Sequence, residues 1–204
     1  MKKFLGFVVL IFAGWALWWF FIKDDGPAKP KPPKQQPVTL NKNSAQFNAS
    51  LNELVTSYLS LKDALVQSDT ARATEQSGLF NQLLDSIPYA ELQNDSAQIL
   101  EGVEMIVKDL RHHAVSISGA RSLQGMREHF SSLSDLLYPG FLKMVNYEGA
   151  VLYVQHCPMA FNGDQGANWL SRESEIMNPY LGKDHPIYKG GMLHCGEVLD
   201  SIAP

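Results

Sequence analysis

Apolar residues recur at alternating steps of four and three in the first part of the chain beyond residue 40. One such series consists of Phe47, Leu51, Leu54, Tyr58, Leu61 and Leu65. This spacing places all six side chains on one face of an amphipathic helix of about 25 residues. The pattern therefore predicts a first helix that buries this face.

Three further helices are predicted by the same spacing and by their terminal residues. The second begins at Ser68 or Asp69 as N-cap and ends at Ile87, before a proline. The third begins near Asp95 or Ser96. The fourth begins near Ser122 and ends before Pro139-Gly140. Their expected buried residues are Leu79, Phe80, Leu83, Leu84 and Ile87; Ile99, Val103, Ile106, Leu110 and His113; and Met126, Phe130, Leu133 and Leu137.

The pattern changes after Pro139, where β-branched and aromatic residues become denser. Segments 141–145 and 150–155 flank a turn-like Asn-Tyr-Glu-Gly sequence and predict a short β-hairpin. From Cys157 onward Gly, Pro and Asn favour loops, with one short helix expected around Trp169. The predicted fold is mainly α: an antiparallel bundle of about four helices at 41–140, and a small loop-rich lobe at 141–204 that packs on it as one domain.

The N-terminus carries an uncharged apolar run at residues 4–22, long enough to cross a bilayer. We predict a membrane anchor at 1–23 and a Pro/Lys-rich linker at 24–40. A cleaved signal peptide is the alternative, but bulky aromatics end the run where small residues are expected. Lysines on both sides leave the orientation open; we expect the short tail inside, a single pass through the bacterial inner membrane, and the remaining domain in the periplasm.

Composition excludes some functions. The net charge is −4, and no Lys/Arg cluster is interleaved with aromatics beyond the linker, so nucleic acid is not expected as a partner. The chain has no Gly-x-Ser-x-Gly elbow, no phosphate-binding glycine loop and no His-Glu-x-x-His motif. A nucleophilic pair of Cys157 with His156 or His194 lacks an evident orienting acid. We therefore expect no enzyme.

The two cysteines each have a histidine and a methionine within three positions, in His156-Cys157-Pro158-Met159 and Met192-Leu193-His194-Cys195. Thiolate, thioether and imidazole ligands suit Cu(I), and Cys with His suits zinc as a second choice. A Cys157–Cys195 disulfide is the alternative, worth about 3 to 4 kcal/mol in an oxidising compartment. Two free buried thiols remain the third alternative.

Three further histidines lie on the predicted third and fourth helices: His112, His113 and His129. They form a ligand cluster only if the helix ends that carry them meet. Isolated helical histidines are more often structural or solvated.

Four blocks in the C-terminal lobe resemble a known family. They are Cys-Pro-Met-Ala at 157–160, Gly-Ala-x-Trp-Leu-Ser at 166–171, Asn-Pro-Tyr-x-Gly at 178–182 and Met-x-x-Cys-Gly at 192–196. In this order, after a helical region, they resemble a domain of unknown function in bacterial envelope proteins. That domain also occurs fused to periplasmic adaptors of heavy-metal efflux systems similar to copper and silver exporters. The resemblance covers roughly residues 42–200.

The resemblance implies a soft-metal ligand set of Cys157, Met159, Met192 and Cys195. His156 and His194 adjoin the blocks without belonging to the motif, and they rank second. Trp169 and the Asn178-Pro179-Tyr180 turn are expected to be architectural, with the Asn side chain capping backbone groups.

Together these expectations describe a membrane-anchored periplasmic protein that binds a soft metal, copper first, and buffers it or hands it to an efflux partner. The alternative is a non-catalytic envelope interaction module whose lobe is cross-linked by a Cys157–Cys195 disulfide. Its partners would be the inner membrane through residues 4–22 and another envelope protein.

Overall fold

The computed structural model describes residues 42–202 of the 204-residue chain. The predicted anchor and linker lie outside these residues. The helices are α1 (Ala45–Val66), α2 (Thr70–Leu83), α3 (Ala97–Gly119), α4 (Leu123–Asp135) and the short α5 (Leu142–Met144), and the strands are β1 (Leu152–Phe161), β2 (Gln165–Ser171) and β3 (Glu197–Ile202). The part of the chain described is thus mainly helical with a small C-terminal sheet. Between residues 42 and 202, none of the helices has the length and apolar character that a membrane span requires.

Helix α1 confirms the first predicted stripe, since all six of its apolar residues are buried. Ser44 is its N-cap, and its Oγ accepts a hydrogen bond of 3.0 Å from the Phe47 backbone N–H. The N-caps Asp69, Ser96 and Ser122 begin α2, α3 and α4 in the same way. The predicted starts of these three helices are therefore confirmed.

The second helix ends earlier than predicted. It stops at Leu83, and a 3₁₀ helix at Tyr89–Asn94 follows after Pro88, which disfavours helical backbone in the residue before it. Its buried face passes through Ala73, Ser77 and Phe80, so the expected core residue Leu79 is 40% exposed. On α3, Ile106 and His113 are only half-buried.

Pro139 does not end the helical region, contrary to the prediction. A π-helical segment at Leu136–Phe141 leads directly into α5, and only Tyr138 has extended backbone angles (φ −138°, ψ 132°). The predicted strand at 141–145 is therefore wrong. Phe141, Leu142 and Val145 are buried in helical spacing, and a short apolar run does not distinguish a strand from a buried helix.

The sheet has the order β2-β1-β3, and both pairs are antiparallel. The hairpin joins β1 to β2 through residues 162–164, one strand later than predicted. Trp169 lies on β2, not on a helix, and pairs with Gln155 of β1; Ala167, Trp169 and Ser171 are buried at every second position, and Leu170 between them is buried as well. The lobe thus has more regular secondary structure than the expected loop-rich lobe.

Helices and sheet share one hydrophobic core. The Tyr58 ring of α1 stacks on Phe130 of α4 with centroids 5.1 Å apart. The Tyr58 hydroxyl lies 2.7 Å from Ser134 Oγ and accepts a 3.1 Å hydrogen bond from the Leu170 backbone N–H. Through these contacts the buried Tyr58 connects α1 and α4 to β2.

Candidate functional site

The structure brings the two cysteines together. Cys157 lies on the central strand β1 and is fully buried, whereas Cys195 lies just before β3 and is half-buried. Their sulfur atoms are 3.1 Å apart and unbonded. A disulfide bond is about 2.05 Å long, so the two groups are neighbouring thiols. His156 on β1 pairs with Glu197 on β3, and this register places Cys195 beside Cys157.

Asn178 holds the segment that carries Cys195. Its buried side-chain Nδ2 donates a 2.8 Å hydrogen bond to the Cys195 carbonyl, and its backbone N–H donates to the Leu193 carbonyl at 2.9 Å. Its Oδ1 accepts hydrogen bonds from the backbone N–H groups of Tyr180 at 2.9 Å and Leu181 at 3.0 Å. The expected capping role of this asparagine is confirmed.

Gly196 allows the backbone to pass close to β1 next to Cys195. Its φ is +141°, and a Cβ atom there would lie 2.6 Å from the His156 carbonyl oxygen. Any residue with a side chain at this position would therefore push Cys195 away from Cys157.

The environment of Cys195 favours its protonated form. Burial, followed by the hydrogen bond and charge interaction with Cys157, raises the pKa of Cys195 to about 11. A nucleophilic cysteine instead has a lowered pKa, usually beside a cationic group. This thiol therefore loses its proton at neutral pH only to a competing partner such as a metal ion or an oxidant.

The two histidines that adjoin the cysteines, His156 and His194, each make a local hydrogen bond through Nδ1. His156 Nδ1 lies 2.8 Å from Asn168 Oδ1, and Asn168 in turn donates a 3.1 Å hydrogen bond to Asp135. His194 is exposed, and its Nδ1 lies 2.9 Å from the Ile176 carbonyl oxygen. The Nδ1 atoms of both rings thus serve local hydrogen bonds.

The two methionines occupy different surroundings. Met192 is half-buried against the core, and its carbonyl accepts a 3.0 Å hydrogen bond from the Cys195 backbone N–H. Met159, also half-buried, lines a cavity of about 340 Å³ together with Glu128, His185 and Tyr188. Residues 42–202 contain no group of three or more His, Cys, Asp or Glu side chains arranged to hold a metal ion.

Arg127 supports the site and was missed from the sequence. This buried α4 side chain donates from Nε to the Pro179 carbonyl at 2.8 Å, and from Nη2 to the Leu65 carbonyl at 3.2 Å and to Ser68 Oγ at 3.4 Å. Burial lowers the pKa of Arg127 to about 10, although the Asp184 charge acts in the opposite direction. The available signal was its spacing of three residues before Phe130, which places it on the buried side of α4.

Gly182 adapts the backbone to this arginine. Its φ is +58°, and a Cβ atom there would overlap Nη2 of Arg127. The glycine that ends the Asn-Pro-Tyr-x-Gly block thus has a packing role.

The structure also brings two of the helical histidines together. His113 Nδ1 on α3 lies 3.3 Å from His129 Nδ1 on α4, and the ring centroids are 5.5 Å apart. The exposed His112 ring stands edge-on to His113 at 5.2 Å. The condition that the two helix segments meet is therefore fulfilled.

The described chain is a helical domain completed by a three-stranded sheet that carries a cysteine pair. A family model described as "Protein of unknown function (DUF3347)" matches residues 54–147, somewhat less than half of the chain. This confirms the expectation of an uncharacterised domain, while the cysteine blocks and the link to efflux adaptors stay predictions, since the match ends before Cys157. No curated protein and no solved structure matches the chain.

Proposed function

We propose that this protein binds a soft metal ion, copper in the Cu(I) state, through Cys157 and Cys195. The observation that carries the proposal is the 3.1 Å separation between two unbonded thiols on neighbouring segments of one sheet. Thiolates and thioethers are the ligands that suit Cu(I). Met192, in the turn that leads into Cys195, and Met159, two residues beyond Cys157, are the candidate thioethers.

The pair needs only a small adjustment to hold an ion. For zinc, the second-choice ion, two sulfur atoms at about 2.3 Å from a tetrahedral ion lie about 3.8 Å apart, so binding would require the thiols to separate by roughly 0.7 Å. Cys157 is fixed in the central strand, whereas Cys195 precedes a strand whose residues are largely exposed. Cys195 is therefore the ligand that adjusts, and its partial exposure gives a partner access to the ion.

In this proposal the protein buffers the ion or passes it to an efflux partner, and it has no catalytic role. The raised pKa of Cys195 makes this thiol a poor nucleophile at neutral pH. The proposal includes the inner-membrane anchor at residues 4–22, with the domain in the periplasm. A topology reporter fused to the C-terminus tests that orientation, because a cytoplasmic signal would contradict it.

A non-catalytic interaction module with a Cys157–Cys195 disulfide is the second candidate. The observation that favours it is the exposure of β3, whose residues are exposed except for the half-buried Ile202. If an oxidant of the periplasm removes two electrons and the two thiol protons, the sulfur atoms would close by about 1 Å into a disulfide that fastens this strand to the sheet.

Metal content and thiol titre of the protein purified without reductant distinguish the two candidates. Near-stoichiometric copper or zinc, with two thiols that react after chelation, supports the metal site. Both Cys157→Ser and Cys195→Ser should then abolish metal binding, and His194→Gln should retain it. No free thiols, and no uptake of Cu(I) after reduction, would leave the disulfide-linked module.

A further inference from the structure

His113 and His129, which we call the histidine pair, lie at matching distances from the turn that joins α3 to α4. His113 is six residues before Gly119, the end of α3, and His129 is six residues after Leu123, the start of α4. Because α3 and α4 pack against each other, the matching spacing brings the two rings into register.

The contact between the rings is made by equivalent nitrogen atoms, Nδ1 to Nδ1 at 3.3 Å. Two neutral rings at this distance share an Nδ1–H···Nδ1 hydrogen bond when one of them carries its proton on Nδ1, and a cation between the two lone pairs can take the place of that proton. Two nitrogens bound at 2.0 to 2.1 Å to one tetrahedral ion lie about 3.3 to 3.4 Å apart. The observed separation therefore equals that of two ligands on one metal ion.

Neutral imidazole is the form that coordinates metals. Both rings are half-buried, so solvent reaches the pair and can complete the coordination of an ion.

We propose that His113 and His129 form a second metal site, separate from the cysteine pair, that binds a borderline divalent ion, Zn²⁺ or Cu²⁺, with water as the remaining ligands. Imidazole nitrogen suits these ions, whereas the cysteine pair suits a soft ion. This inference does not rest on the function proposed for Cys157 and Cys195.

The test uses the full-length chain with both cysteines replaced by serine, so that the cysteine pair cannot bind the ion. Titration calorimetry with ZnCl₂ is expected to show one ion per chain. His113→Gln and His129→Gln should each weaken binding by at least about tenfold, since even outer partners of metal ligands are worth that much. His185→Gln, a histidine in the C-terminal lobe, should bind as the parent does.

Electron paramagnetic resonance of one equivalent of Cu²⁺ gives a second readout that needs no histidine variant. Coupling to two imidazole nitrogens is the expected result. A spectrum without nitrogen coupling would overturn the site, as would equal zinc affinities in the parent and in the two variants of the pair.

Discussion

The Asn178 side chain has its donor and acceptor atoms engaged inside the protein, with the Cys195 carbonyl on one side and the N–H groups of Tyr180 and Leu181 on the other. Asn178→Ala would leave all three backbone groups buried without this partner. We expect it to lower the free energy of unfolding by about 3 kcal/mol, measured by urea denaturation. The reduced variant should also alkylate faster at Cys195, because the segment loses its anchor.

Asn162→Gly is the matched control. Asn162 is exposed in the hairpin turn and has a positive φ of 54°, which glycine adopts freely. Its stability should stay within about 0.5 kcal/mol of the parent. Equal effects at both positions would contradict the role given to Asn178.

Arg127 contacts three chain segments through one planar guanidinium group. Arg127→Lys keeps the charge but cannot reach the Pro179 and Leu65 carbonyls and Ser68 with the same geometry. We expect a loss of about 2 to 3 kcal/mol in thermal or urea unfolding. Arg111→Lys, at the exposed ion pair with Asp85, should cost no more than about 1 kcal/mol.

The raised pKa of Cys195 predicts the pH dependence of its alkylation in reduced, chelator-treated protein. A rise from 9.0 to about 11 lowers the thiolate fraction at neutral pH by about a hundredfold. The rate with iodoacetamide should therefore climb about tenfold per pH unit up to about pH 11. A rate that levels off near pH 9 would show an ordinary thiol. Peptide mapping separates the signal from that of Cys157.

At the scale of elements, β3 depends on its neighbours more than the other two strands do. Its residues are exposed apart from the half-buried Ile202, whereas β2, the other edge strand, buries Ala167, Trp169, Leu170 and Ser171. A metal or a disulfide across Cys157 and Cys195 would fix the N-terminal end of this strand. We expect amide hydrogen exchange in β3 to be faster in Cys195→Ser than in the parent, with exchange in β2 unchanged. Equal acceleration in both strands would indicate general loosening instead.

The helices were predictable from sequence where a long stripe and a capping residue agree. In α4 the apolar residues Met126, Phe130 and Leu133 specify one face and Ser122 specifies the start, and the structure has both. The prediction for segment 141–145 failed because five residues are too few to distinguish a period of 2 from a period of 3.6, so Phe141 and Leu142 fit a strand or a helix equally well. Tertiary packing on the core decides such cases.

The candidate site was predictable only as a list of residue types. The motif blocks named Cys157 and Cys195, but their approach depends on the pairing of β1 with β3, which are 35 residues apart in sequence. The spacing of these residues in the sequence does not predict which methionine or histidine side chain lies near the two sulfur atoms. The sequence named His113 and His129 as candidates on condition that their helices meet, and their equal distance from the α3–α4 turn is the signal that favours this contact.

At the scale of the whole molecule, the matched family region and the folded unit do not coincide. The family match ends at residue 147, yet Trp169 and Leu170 of β2 belong to the same core as Tyr58 and Phe130. The Leu170 N–H also donates to the buried Tyr58 hydroxyl. The helices alone would therefore expose apolar surface that the sheet covers.

We accordingly expect a fragment of residues 42–147 to lack a cooperative unfolding transition and to bind a dye specific for exposed apolar surface, while a fragment of 42–202 unfolds in one step. Calorimetry and dye fluorescence on the two fragments test this. A fragment of 42–196, which lacks only β3, is the control. Because β3 buries little, this fragment should keep a cooperative transition at a lower temperature. If the 42–147 fragment unfolds as cooperatively as 42–202, the helices form a complete domain and the sheet with its cysteine pair is an appendage to it.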